Sequence, residues 1–244
     1  MLMEEITSVA FEKAKKEVKT VIFPVGSVEA HGPHLPLATD LYTIYEVCKK
    51  VSQKKKVLIA PPLYYGLCRS TGSLPGTISL TGEVLKKLMF NLFHQFYLAG
   101  FKNFMVLSGH AGGTHNAYLI DAAESFISIV PYCNFFVADI FQLLKPCLKE
   151  LGIPEEDSHA GEWETSLMLY LRPDLVKEGG FEDYPKFPKF RIVSDKEKYW
   201  STGIWGDPRK ASLEKGKQMV DWLVQFLIKE IEKMEQELEE KCFL

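Results

Sequence analysis

The 244-residue sequence predicts an α/β fold built on a mostly parallel sheet, and three observations carry that expectation. Strand-like and helix-like segments alternate along the chain, the pattern that lays helices on the faces of a parallel sheet. The strand-like segments are short, apolar and rich in β-branched or aromatic residues. Two of them run directly into glycine-containing turns, as strands do at the edge where an α/β sheet presents its ligands. The length suffices for one full hydrophobic core, so residues 1–244 are expected to form a single domain.

Taken in order, Thr20–Val25 is the first strand, closed by the loop at Gly26. Residues 40–53 carry Leu41, Ile44, Tyr45, Val47 and Val51 at helical spacing, with Thr39 or Asp40 able to cap the helix. A short strand over 57–60 stops at Pro61 and Pro62. Residues 66–81 are rich in Gly, Ser, Thr and Pro and read as a long loop of the kind that shapes a pocket. A helix from Thr81 or Glu83 to residue 99 ends at Gly100, where glycine suits the left-handed terminus. Residues 103–107 form the next buried strand, followed by a helix over 114–129, a strand over 134–138 and a helix over Glu162–Leu171. Residues 178–210 lack a period and are expected to be irregular surface or an oligomer contact. An amphipathic helix over 213–238 closes the chain, its solvated end dense in Glu and Lys over 230–241.

Composition removes several classes of function. A net charge of -3, with Lys and Arg scattered among Asp and Glu, leaves no basic stripe for nucleic acid. No stretch approaches the roughly 20 apolar residues of a membrane span, and the acidic start is unlike a secretory leader. Five cysteines, at 48, 68, 133, 147 and 242, form no CxxC pair, which fits a cytoplasmic protein with small buried thiols. A nucleotide-binding module is not indicated, because no G-x-G-x-x-G follows the first strand and no Walker lysine is present.

Histidine placement narrows the chemistry. Of six histidines, five lie in three Gly-rich segments, and His94 alone lies in a regular helix. The first segment, Gly26-Ser-Val-Glu29-Ala-His31-Gly-Pro-His34-Leu-Pro-Leu-Ala-Thr-Asp40, leaves the C-terminal end of a strand. In extended chain residues i and i+2 share a side, so Glu29 and His31 can face one cation, and Asp40 can reach the same point. The second, Ser108-Gly-His110-Ala-Gly-Gly-Thr-His115, also follows a strand and aims His110 into the same crevice. The third, His159-Ala-Gly-Glu162-Trp-Glu164-Thr-Ser, opens a helix. Glu162 and Glu164 sit about 200° apart on it, so both cannot face one ion, and spacing does not choose between them. Nitrogen and carboxylate donors without thiolate suit Zn²⁺, Mn²⁺ or Fe²⁺. His34 and His115 are expected in structural or supporting positions.

These segments resemble the creatininase (creatinine amidohydrolase) family, whose pattern runs G-S-x-E-x-H-G-x-H-L-P, then T-D, G-H-x-G-N and H-A-G-x-x-E-T-S, in matching order over most of the chain. The resemblance implies a three-layer α/β/α sandwich and metal ligands at Glu29, His31, Asp40, His110 and Glu164, with His159 as catalytic acid or base. It also implies a homo-oligomer, a hexamer or other assembly of dimers, with Trp200 and Trp205 as candidates for its contacts. Gly203-Ile-Trp-Gly-Asp-Pro208 looks like a further family segment without an assignable role. Creatininase carries tyrosine and glutamate after the histidine matching His110, whereas this chain has Ala111 and Gly112. It therefore looks closer to a formamide hydrolase of flavin and deazaflavin biosynthesis and to the peptidase that matures the mycofactocin precursor.

The implied activity is a metal-dependent amidohydrolase that cleaves a non-peptide or peptide C–N bond, with a small-molecule amide, such as a formamide, as the expected substrate. Two divalent ions (Zn, Mn or Fe) would share Asp40, with Glu29 and His110 on one and His31 and Glu164 on the other, and would activate water against a C–N bond. His159 would exchange the proton of the leaving nitrogen, and backbone N–H groups around Gly112 and Gly113 would hold the developing oxyanion. The alternative is a non-catalytic metal-binding or regulatory protein that keeps the fold. An open water position and amide turnover separate the two.

Overall fold

A computed structural model describes residues 1–242, with side chains through residue 240, so the side chain of Cys242 lies outside the described residues. Four strands, β1 (Thr20–Val25), β2 (Leu58–Ile59), β3 (Asn103–Ser108) and β4 (Asn134–Asp139), form a parallel sheet in the order β2-β1-β3-β4. The α-helices among the described residues are α1 (Ser8–Glu17), α2 (Thr39–Lys54), α3 (Gly82–Leu98), α4 (Gly113–Ile127), α5 (Ile140–Glu150), α6 (Glu162–Leu171) and α7 (Leu213–Cys242).

Successive side chains of a strand point to opposite faces, and both faces of this sheet are buried. Val21, Phe23 and Val25 of β1, with Phe104 and Val106 of β3, pack under α1, α3 and α4 in a phenylalanine-rich core. Ile22 of β1, with Met105 and Leu107 of β3, packs against α2, α5, α6 and α7. The result is the expected α/β/α sandwich. No helix among the described residues is long and apolar enough to cross a membrane.

The local differences from expectation have physical causes. Neither Thr39 nor Asp40 caps α2: the cap position is Ala38, Thr39 Oγ1 donates to the Pro36 carbonyl (2.7 Å), and the Asp40 carboxylate turns toward histidines. Charged partners in a buried site outweigh a helix-terminal N–H. Strand β2 has two residues, because Pro61 and Pro62 have no N–H with which to extend a ladder. Helix α3 is capped by Thr81, whose Oγ1 accepts from Val84 N (3.3 Å), and Gly100 follows it with φ +103°. Two helices carried no sequence signal. Helix α1 buries only Ala14, and α5 follows β4 without a loop, Asp139 ending the strand and accepting from Gln142 N (2.8 Å), with Pro146 inside the helix. Residues 178–210 are mostly irregular, but isolated bridges join Asp183 to Gly206 and His159 to Trp205.

The strand order places the site. β1 and β3 are neighbours although β2 separates them in sequence, so Val25 and Ser108 end side by side at the topological switch point. The loops leaving these two residues carry His31, His34 and His110.

Candidate metal centre

Beyond the strand ends, Gly109 N donates to the Val25 carbonyl (2.8 Å), which ties the two loops together. Gly109 lies so close to the start of α2 that a Cβ there would run into the Asp40 carbonyl, so glycine is required. Glu29 N donates to the Leu37 carbonyl (2.9 Å), folding the first loop back until Glu29, His31 and Asp40 converge.

Glu29, His31, Asp40, His110 and Glu164 are all buried, and their donor atoms gather on the two oxygens of Asp40. Oδ1 lies 3.1 Å from His31 Nε2, and Glu164 Oε2 lies 3.8 Å from the same nitrogen. Oδ2 lies 3.0 Å from His110 Nδ1, and Glu29 Oε1 lies 2.6 Å from that nitrogen. Ser27 Oγ sits between Asp40 Oδ2 (2.5 Å) and Glu29 Oε1 (3.1 Å), and Thr71 Oγ1 donates to the other Glu29 oxygen. Backbone carbonyls hold both rings: His31 Nδ1 donates to the Glu29 carbonyl (3.0 Å) and His110 Nε2 to that of Leu67 (3.2 Å). The remaining nitrogen of each ring therefore faces the carboxylates.

The cluster demands positive charge. Burial alone would lower the His31 and His110 values, but the carboxylates outweigh it. His31 is raised to about 10, chiefly by Asp40 with Glu164 and Glu29 adding, and His110 is raised well above its usual value by Glu29 and Asp40. Against the same burial, these imidazoles hold Glu29 below and Asp40 well below the usual carboxylate range. Burial lifts Glu164 to about 8, His31 opposing and Asp40 adding. Among the described residues the ion pairs of these three carboxylates are with imidazoles alone. Oxygen and nitrogen donors in negative excess, with no Lys or Arg to neutralise them, fit divalent Zn²⁺, Mn²⁺ or Fe²⁺.

The two glutamates of α6 separate cleanly. Glu162 pairs with Lys215 of α7, whereas Glu164 accepts from Ala160 N and faces the cluster. Ala160 has φ +47°, a conformation costly for a non-glycine residue, and the bond to Glu164 helps hold it. His159 stacks on His31 with centroids 4.1 Å apart and donates from Nε2 to the Ala30 carbonyl (2.9 Å). Burial, with His31 nearby, lowers His159 to about 4, so near neutral pH its Nδ1 is a free base. His34 bonds Thr165 Oγ1 (2.9 Å) and His115 Nδ1 accepts from Leu67 N (3.1 Å); burial lowers them to about 4 and about 3, which leaves neutral supports.

Sequence reasoning passed over several contributors. Gly161 has no side chain with which to cap α6, and the buried Asp157 carboxylate does so from outside, accepting from Glu162 N (2.8 Å) and Trp163 N (3.3 Å). It also accepts from Asp207 N (3.2 Å), which gives the 203–208 segment its structural role. That segment brings Trp205 into a bridge with His159. Trp200 and Trp205 line a cavity of about 210 Å³ over the cluster, together with Ser70, Thr71, Ala111 and Gly112. The prior signals for these were the 66–81 loop, which carries Ser70 and Thr71, and the Gly203–Pro208 motif, whose neighbours in space the spacing does not reveal.

Comparison with known proteins identifies the family. The family model for creatinine amidohydrolase matches residues 4–231. Creatinine amidohydrolase of Pseudomonas putida is 27% identical over 224 residues, covering 84% of this chain and 85% of that protein. The mycofactocin precursor peptide peptidase of Mycolicibacterium smegmatis is 27% identical over 217 residues, covering 83% and 80%. A solved structure of a creatininase variant of Zn–Zn type has a TM-score of 0.85 and 25% identity, covering 95% of this chain and 97% of that one. A match of that extent places this chain in the creatininase family, as a metal-dependent hydrolase acting on carbon–nitrogen bonds.

Proposed function

We propose that this chain is a two-ion amidohydrolase cleaving a small amide of the formamide type, with Asp40 as the ligand common to both ions. One observation carries the reading: the donors divide about the two Asp40 oxygens, Glu29 and His110 on one side and His31 and Glu164 on the other. The Zn–Zn type of a related creatininase structure supports a two-ion count. Zn²⁺, Mn²⁺ or Fe²⁺ bound there would polarise the substrate carbonyl and lower the pKa of water toward neutrality.

The chain's own residues do the rest. His159 takes and returns a proton through Nδ1, because Nε2 is committed to Ala30 and the neutral ring can accept. The first N–H groups of α4, around Gly112 and Gly113, line the cavity and offer donors to a developing oxyanion. Trp200 and Trp205 form an apolar wall that limits water. At about 210 Å³ the cavity is smaller than the roughly 300–1,000 Å³ of drug-sized sites, which favours a compact acyl group such as formyl. Ala111 and Gly112 place no acid or tyrosine beside it. The enzyme is proposed to work in the cytoplasm as a homo-oligomer, for which the fully exposed Phe190 and Ile192 offer apolar contact, a point light scattering decides.

The test is metal content by mass spectrometry on purified protein, with a panel of formamides, creatinine and short peptides assayed with added Zn²⁺, Mn²⁺ or Fe²⁺. About two equivalents with chelator-sensitive formamide cleavage is the expected result. One equivalent with turnover removes the shared-ligand scheme. Two equivalents with no turnover on any amide leaves the non-catalytic metal-binding alternative, and no metal after reconstitution removes the reading.

A further inference from the structure

We propose that Cys68 is a metal ligand in this chain, adding a thiolate to the position formed by Glu29 and His110 and biasing it toward Zn²⁺ over Mn²⁺. The inference rests on the metal-centre reading above and extends its donor set. Cys68 Sγ, a carboxylate oxygen of Glu29 and a ring nitrogen of His110 all lie within 4.8 Å of one another. Donors sharing one tetrahedral zinc stand about 3.3–3.6 Å apart, given bond lengths of about 2.0–2.3 Å, so small side-chain adjustments bring the three together.

The backbone that carries Cys68 is pinned to the site. His110 donates to the Leu67 carbonyl, Leu67 N donates to His115 Nδ1, and Cys68 N donates to Ser79 Oγ (2.8 Å). The thiol is 2% exposed, and its polar neighbours are Ser27, Glu29, Asp40 and His110. The other buried thiols differ. Cys48 and Cys147 lie in the aliphatic core between the sheet, α2, α5 and α7, where no imidazole and carboxylate pair accompanies them. They match the expectation of small buried residues; Cys68 is as buried but has a carboxylate and an imidazole beside it.

On coordination the S–H proton leaves to solvent as the sulfur–metal bond forms, and no oxidant or reductant is needed. A soft sulfur donor favours Zn²⁺ and Co²⁺ and disfavours Mn²⁺, which prefers oxygen. The donor set is then no longer purely nitrogen and oxygen, and the two ion positions become chemically unequal. With Asp40 common to both, His31 and Glu164 complete a hard position, and Glu29, His110 and Cys68 a softer one.

The test loads the full-length protein with Co²⁺ and reads its spectrum. Wild type is expected to show a near-ultraviolet thiolate-to-cobalt charge-transfer band, which Cys68→Ser lacks. Zn²⁺ is expected to protect Cys68 from iodoacetamide, as mapped by peptide mass spectrometry. Chelator competition should show Zn²⁺ affinity falling by at least about tenfold in Cys68→Ser without a parallel loss for Mn²⁺. Wild-type protein that binds two equivalents of Co²⁺ without the band, and alkylates equally with and without Zn²⁺, overturns the role of Cys68 and leaves the metal centre standing. Wild-type protein that binds no divalent ion removes the metal centre first and this inference with it. The band and the protection are read on wild type, so a variant that folds poorly does not blunt the test.

Discussion

Under α3 and α4, Phe23, Phe93, Phe104, Phe126 and Phe135 pack ring against ring, with centroids from 4.9 Å (Phe93 to Phe135) to 6.3 Å (Phe104 to Phe126). At the carboxyl ends of β1 and β3, three carboxylates and two imidazoles are buried just as deeply. The aromatic cluster gains free energy from every ring it hides, and its contacts are largely interchangeable. The ionic cluster loses free energy on burial, and each group must find a particular partner or a cation. The same sheet supports both. One region holds the fold together, and the other holds charges in a place the fold would not choose for its own stability.

Substitutions can break that division or sharpen it. Asp40→Ala is expected to have the largest effect, removing turnover and both ions while circular dichroism still reports a folded sheet; a variant that keeps its metal ends the shared-ligand scheme. His159→Asn should lower kcat by about 10²–10⁴-fold with metal content unchanged, and metal loss would instead make it part of the ion shell. On the opposite side of the sheet, Phe93→Ala should cost about 3–5 kcal/mol in urea unfolding while the folded fraction binds metal as wild type does. A cost below about 1 kcal/mol would mean the aromatic region is not the stabilising one. The smallest effects come from the α6 pair. Glu164→Gln should release one of two ions, whereas Glu162→Gln should retain both and lose about 1 kcal/mol of stability with its partly exposed partner Lys215.

Much of the site was legible because its signals are short in sequence. Glu29 and His31 are two residues apart, Asp40 opens the next helix, and His110 follows a strand end, so local geometry alone suggested convergence. Helix α6 matched its expected bounds, since Glu162 and Leu171 lie where the apolar pattern begins and ends. Helix α5 was hidden because Asp139 ends a strand and caps a helix at once, leaving no punctuation, and because Pro146 reads as a break. Helix α1 was hidden because it is a lysine-rich surface helix with one buried residue.

Side-chain chemistry and close spacing are local properties of the chain, and they were enough to indicate a parallel α/β sheet, a carboxylate and imidazole donor set, and the segments that carry it. Longer contacts made the remaining choices. Lys215 draws Glu162 away from the cluster, Asp157 caps α6 while holding Asp207, and Trp205 closes over His159. Cys68 reaches Glu29 and His110 from a loop with no regular structure. Each of these depends on which surfaces become buried against each other when distant segments pack, and the free energy of a buried charge or thiol is set by those neighbours rather than by the residues beside it in the chain.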